Sequence, residues 1–127
     1  MASAAGPILV VDCDDGARTL IRSLLESAGF RVAEAGSGED ALTLAPALDP
    51  RLALVDVFLP TLSGYEVCHR LKTELGVPVV LVSRTSREAL DQVAGLLLGA
   101  DGCVSKPFVP DDLLGRVRQV ARRPEAA

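Results

Sequence analysis

Short, unbroken apolar runs alternate five times along this chain with segments whose apolar residues recur every three or four positions. Ile8-Leu9-Val10-Val11 is apolar at every position, as a strand buried on both faces must be. Ala17, Leu20, Ile21, Leu24, Leu25 and Ala28 then fall on one helical stripe, and Gly29 stops it. Arg31 to Ala35 is the second predicted strand. Ser37 offers an N-cap to a helix from Gly38, which is expected to falter at Pro46. Leu52 to Asp56 is the third strand, followed by a helix from Tyr65 to Leu75 closed by Gly76. Pro78 to Val82 is the fourth. Thr85-x-x-Glu88 forms a capping box for a helix to about Leu98, with Gly99 after it. Gly102 to Ser105 is a short fifth strand. Pro110, Asp111 and Asp112 open a last helix carrying Leu113, Leu114, Val117, Val120 and Ala121 on one face.

Strict alternation of strand and helix predicts an α/β, doubly wound parallel sheet covered on both faces by right-handed crossovers. Chemistry in such sheets gathers at the carboxyl ends of the strands. The residues there are Asp12-Cys13-Asp14-Asp15, Gly36-Ser37, Asp56, Ser83-Arg84 and Lys106. Asp14 and Asp15 equally suit the start of the first helix, whose dipole favours acids. Asp12 and Asp56 each end an apolar strand directly, where a buried carboxylate needs a partner. Carboxylates crowded at one edge need a cation, and oxygen donors without His suit a hard ion such as Mg²⁺. Lys106 adds a point charge and Ser83 a hydroxyl. Together these residue types make a site for handling a phosphoryl group.

Composition narrows the field. With 127 residues, 49% hydrophobic and 24% charged, the chain is long enough for one core and too apolar for disorder. No apolar run approaches the roughly 18 residues of a membrane span, and the start, MASAAGP, lacks the basic flank and apolar stretch of a signal peptide. A soluble, cytoplasmic domain is expected. The net charge of −4 argues against direct nucleic-acid binding by these residues. Cys13, Cys68 and Cys103 are widely spaced and His69 is the single histidine, so no zinc set can be assembled. Cys68 falls among Val67 and Leu71 as a packing residue.

The chain resembles a response-regulator receiver domain over about Pro7 to Arg123. The matching stretches are Ile8 to Asp12, Leu54 to Pro60 with Ser63-Gly64-Tyr65-Glu66, Pro78 to Ser83, and Gly99 to Phe108. The resemblance implies a flavodoxin-like five-stranded sheet of order 2-1-3-4-5, and a place in bacterial two-component phosphorelay signalling. It implies that Asp56 accepts a phosphoryl group from a histidine kinase or phosphotransfer protein, and that Asp12, Asp56 and the backbone carbonyl of Phe58 hold Mg²⁺. Ser83 and Lys106 then contact the phosphoryl oxygens and pass the signal to the last two helices. No separate enzymatic turnover is implied beyond transfer to, and loss from, Asp56.

Three positions depart from the family pattern. Cys13 stands where a second acid is usual, and a thiol is a poor Mg²⁺ ligand. Asp14 is the substitute in reach, since residues i and i+2 share a side of an extended segment. Weak Mg²⁺ binding is the expectation. Cys103 replaces the usual switch aromatic, so the ring's inward swing is absent or altered. Arg84 follows the switch hydroxyl of Ser83, where a small residue is usual. Cys13 and Cys103 lie on strands separated by two others at about 4.8 Å per step, too far for a disulfide.

The same features suit a second reading, a receiver used as a phosphorylation-independent interaction or dimerisation module. A third is a haloacid-dehalogenase-like phosphatase, suggested by Asp12-Cys13-Asp14. That family expects Thr or Val where Gly16 stands, and the reading leaves Asp56 idle. An FMN carrier of the same fold is rejected because its first loop should offer hydroxyls, not three carboxylates. The final helix resembles receivers that precede a winged-helix DNA-binding domain and dimerise through the last two helices and strand five. Arg116 matches one of their salt-bridge positions, but Gly102 replaces its acidic partner. Residues 1–123 are taken as the receiver and 124–127 as a tail or the start of a linker.

Overall fold

The computed structural model describes residues 6–83 and 99–121. Strands β1 (Ile8–Val11), β2 (Val32–Ala35), β3 (Leu52–Asp56), β4 (Val79–Ser83) and β5 (Gly102–Ser105) form one parallel sheet in the order β2-β1-β3-β4-β5. The described helices are α1 (Asp15–Ser27), α2 (Gly38–Leu48), α3 (Gly64–Leu75) and α4 (Pro110–Ala121). This is the doubly wound, flavodoxin-like architecture expected from the alternation and the resemblance. The helix expected from Thr85 to about Leu98, Arg84, and the tail from Arg122 lie outside the described residues.

Side-chain alternation splits the core into two layers. Leu9, Val11, Val55 and Leu81 point to one face, where Ala41 and Ala45 of α2 and Val67, Cys68 and Leu71 of α3 cover them. Ile8, Val10, Leu54, Val80 and Val82 point to the other, under Ile21 and Leu25 of α1 and Leu113 and Val117 of α4. Cys68 is fully buried, the packing role expected for it. Every residue of β1, β3 and β4 is buried, so any chemistry these strands offer lies at their ends and not on their faces.

Caps fix where each helix begins. Ser37 and Ser63 accept from the backbone N–H groups of Asp40 and Glu66, and Asp14 accepts from that of Gly16. Two expected boundaries move for hydrogen-bonding reasons. The fourth strand runs to Ser83, which pairs with Ser105, while Pro78 lends only its carbonyl, to the N–H of Ala53. The second helix does not falter at Pro46 but continues to Leu48. Proline removes one bond within the last turn there, while buried Ala45 and core-packed Leu48 hold that turn in place. Asp49 then ends the helix in the left-handed region, at φ 46°.

Candidate functional site

Asp12 follows β1 directly and Asp56 ends β3, and these strands are neighbours with Val11 opposite Val55. The register therefore places two carboxylates side by side at the carboxyl edge, each residue only 1% exposed. Ser83 ends β4 beside them and is also buried. Its carbonyl accepts from the backbone N–H of Lys106 at 2.6 Å, which fixes where the lysine leaves β5.

The ammonium of Lys106 lies between the two acids. Nζ is 2.6 Å from Asp12 Oδ2 and 2.9 Å from Asp56 Oδ2. The other carboxylate oxygens are held by the loops that follow: Asp14 N donates to Asp12 Oδ1, and Phe58 N donates to Asp56 Oδ1, each at 2.9 Å. Each acid thus has one oxygen fixed by a backbone N–H two residues on and one turned to the lysine. Burial works against the charge on Lys106, but Asp12 and Asp56 outweigh it and hold its pKa above the ordinary 10.5.

The remaining expected residues take distinct places. The exposed Cys13 directs Sγ at the Phe58 carbonyl oxygen, 3.6 Å away, so the thiol covers an oxygen expected to serve as a metal ligand. Asp14 is exposed, and its Oδ1 caps α1 through Gly16 N at 3.0 Å. Cys103 is half-buried on β5 opposite Leu81, packed against the α2–α3 layer. None of the three cysteines is in a disulfide. Phe58 is 49% exposed at the mouth of the site.

The linear pattern assigns no role to two further contributors, although Gly64 lies in the Ser63-Gly64-Tyr65-Glu66 stretch that carries the resemblance. Gly64 opens α3 so close to the site that a Cβ on it would lie 2.1 Å from the Asp56 carbonyl oxygen, which excludes any side chain there. Arg18, on α1, donates from Nη1 to the Asp12 carbonyl oxygen at 2.7 Å. A spacing of six residues matches no periodic motif, so nothing in the pattern pairs Arg18 with Asp12.

The response-regulator receiver domain model matches residues 8–118. The chain belongs to the response-regulator receiver family. One relative is the DNA-binding response regulator MtrA of Mycolicibacterium smegmatis, 42% identical over 118 residues, covering 93% of this chain and 51% of that protein. Another is the alkaline phosphatase synthesis transcriptional regulatory protein PhoP of Bacillus subtilis, 41% identical over 120 residues, covering 94% and 50%. The chain therefore spans about half the length of the curated relatives it matches. Among solved structures it is similar to the receiver domain of NtrX from Brucella abortus, with a TM-score of 0.86 and 27% identity over 92% of this chain and 99% of that one. The receiver domain of the Francisella response regulator 1452 gives 0.85 and 28%, over 93% and 98%.

Receivers of this family generally bind Mg²⁺ in the acidic pocket, which makes the donor set here worth testing. Asp12, Asp56 and the Phe58 carbonyl are hard oxygen donors of the right kind. The place of a further acid is taken by a thiol, and both Oδ2 atoms already face Lys106. Among the described residues, no group of three or more His, Cys, Asp or Glu is placed to hold a metal. Two carboxylates and one carbonyl, not three acids, are therefore the donors that would hold Mg²⁺ here. No described helix is long and apolar enough to cross a membrane.

Proposed function

We propose that this chain is a phosphoryl-accepting receiver with Asp56 as the acceptor. The bridge from Lys106 to two buried carboxylates at a sheet's carboxyl edge is the observation that carries this reading. Asp56 Oδ2 attacks the phosphorus of a phosphohistidine on a histidine kinase, or of a small phosphodonor. The new P–O bond forms as the bond to the histidine nitrogen or donor oxygen breaks. The acceptor begins as a carboxylate and carries no proton to remove. Lys106 then shifts from the carboxylate to a phosphoryl oxygen and Ser83 donates its hydroxyl to another, offsetting the added negative charge. Lys106 leads directly into the segment before α4, whose Phe108 packs on the core beneath that helix, so its movement is transmitted to α4. Cys103 lacks the ring of the usual switch aromatic, which leaves Ser83 and Lys106 as the route.

Asp12, Asp56 and the Phe58 carbonyl would hold Mg²⁺, which would supply positive charge to the phosphoryl oxygens, and its affinity would be low because Cys13 replaces a carboxylate oxygen with sulfur. We take residues 1–123 as the receiver and 124–127 as a tail or the start of a linker. The relatives are about twice as long, and one is named a DNA-binding response regulator and the other a transcriptional regulatory protein, which supports a DNA-binding output domain in the natural protein. A homodimer through β5 and the last two helices is a further candidate partner arrangement, weakened by Gly102.

The Cys13 contact to the Phe58 carbonyl favours one alternative, a receiver switched by a binding partner without phosphate. The phosphatase reading loses its acid/base, since the Asp14 carboxylate is committed to the α1 cap. Intact mass after incubation with a small phosphodonor and Mg²⁺ tests the proposal. One added phosphoryl group, absent in Asp56→Ala, is expected. No uptake by the wild type, with uptake restored by Cys13→Asp, supports the phosphate-independent module instead.

A further inference from the structure

Arg18 is bound on three sides. Nη1 donates to the Asp12 carbonyl oxygen at 2.7 Å, Nε to Glu34 Oε1 at 3.0 Å, and Nη2 to Asp15 Oδ1 at 2.6 Å. Its side chain is only 17% exposed, although it lies on the surface of α1. Glu34 stands on β2 next to Ala35, whose carbonyl accepts from Asp12 N at 3.1 Å. These contacts close a ring: Asp12 N to Ala35, along the chain to Glu34, across to Arg18, and back to the Asp12 carbonyl. Both sides of Asp12 are thereby fixed to β2, one by the ladder and one by the guanidinium.

That carbonyl belongs to the peptide joining Asp12 to Cys13, so its orientation sets the direction in which the next residues leave β1. Two site contacts depend on that exit: Asp14 N to Asp12 Oδ1, and Cys13 Sγ to the Phe58 carbonyl. A strand's last carbonyl without a ladder partner would otherwise be free to turn toward water. We infer that Arg18 is a positioning residue for the acid pocket, clamping the Asp12–Cys13 peptide so that the Asp12 carboxylate faces Lys106. Its fork geometry suits the task, because three separate nitrogens each meet a different acceptor, whereas a lysine's three donors all sit on one atom. Arg22 also pairs with Glu34 but makes no contact with Asp12, so it shares the ion pairs without the clamp.

The test compares Arg18→Gln, Arg18→Lys and Arg22→Gln with wild type. The readout is the NMR signal of the Asp14 amide, which donates directly to the Asp12 carboxylate. In Arg18→Gln its solvent exchange is expected to quicken about fivefold, the equivalent of one lost hydrogen bond, with its proton shifted upfield. Arg18→Lys should fall between that variant and wild type, and stands in for it should Arg18→Gln not fold. Arg22→Gln should leave the amide unchanged. An equal change in the Arg18 and Arg22 variants, or none in either, would overturn the inference. It rests on the receiver reading only for its consequence, a slower phosphoryl uptake in the Arg18 variants alone. If wild type takes up no phosphoryl group, that reading fails while the Asp14 amide still decides the role of Arg18.

Discussion

Lys106 is the residue on which the acid pocket's charge balance turns. Replacing it with Met keeps most of the volume and leaves Asp12 and Asp56 buried without a cation. Breaking a buried pair in this way costs about 3 kcal/mol, and urea unfolding of Lys106→Met at neutral pH should show a loss of that order. The folded pKa of Lys106 lies above the ordinary 10.5, so its contribution is fully present below that value and is lost as pH rises through the folded one. The gap between wild type and Lys106→Met should therefore hold steady up to about pH 10 and close above it. The cysteines give a second residue-scale outcome. Burial pushes the Cys68 thiol up to about 11, whereas Cys13 is exposed. Iodoacetamide should label Cys13 in the folded protein and Cys68 only after unfolding, as peptide mass mapping would show. Asp12, Asp56 and Ser83 were legible because an apolar run stopping on a polar group is visible in a linear pattern, and Lys106 because it directly follows the short fifth strand. The roles of Arg18 and of Gly64, which stands only within a matching stretch, were not, because they depend on distances across the fold that no local spacing encodes.

Among the elements, glycines mark where approach is close and where it is not. The start of α3 presses on the end of β3, and a Cβ at Gly64 would stand 2.1 Å from the Asp56 carbonyl oxygen and 2.6 Å from Val57 Cα. Backbone cannot yield as a side-chain tip can, so Gly64→Ala should cost on the order of 3 kcal/mol and slow phosphoryl uptake by moving the acceptor. Gly115, in the middle of α4, is the opposite case, since among the described residues a methyl group there would meet nothing within 4 Å. Gly115→Ala should raise stability by about 0.5–1 kcal/mol, visible as a higher Tm with uptake unchanged. The strands were legible in order and nearly in extent, since strands buried on both faces are written as continuous apolar runs. Pro46 misled because propensity weighs the lost hydrogen bond and the ring clash, but not the tertiary contacts of Ala45 and Leu48. Asp101 was missed for a similar reason. Its carboxylate accepts from Lys72 Nζ at 2.7 Å and Val79 N at 2.9 Å, tying α3 and β4 to the approach to β5, contacts that exist only once the sheet has formed.

For the molecule as a whole, the prediction is that self-association turns on Gly102. Arg116 suits a dimer interface by position, but the acid expected opposite it is missing. A Cβ at Gly102 would fall 2.8 Å from Arg116 Cδ, so the arginine stem lies across the bare backbone. Its guanidinium donates to Gln119 Oε1 of the same helix at 3.1 Å. A residue so engaged within its own chain gives a second copy little to pair with, and an exposed ion pair adds at most about 1 kcal/mol. Sedimentation of the phosphorylated chain should therefore report a monomer at about 100 µM, where a standard-size interface would be well populated. Gly102→Asp should push the flexible Arg116 side chain outward and present a charge of each sign on one face. Self-complementary patches of that kind are what a two-fold dimer requires, and the variant should associate about fivefold more tightly than wild type at low salt, with the gain lost as salt is raised. Phosphorylation-driven dimers of the wild type, as strong as those of the variant, would show that the face does not depend on residue 102 and that the last helices associate through other contacts.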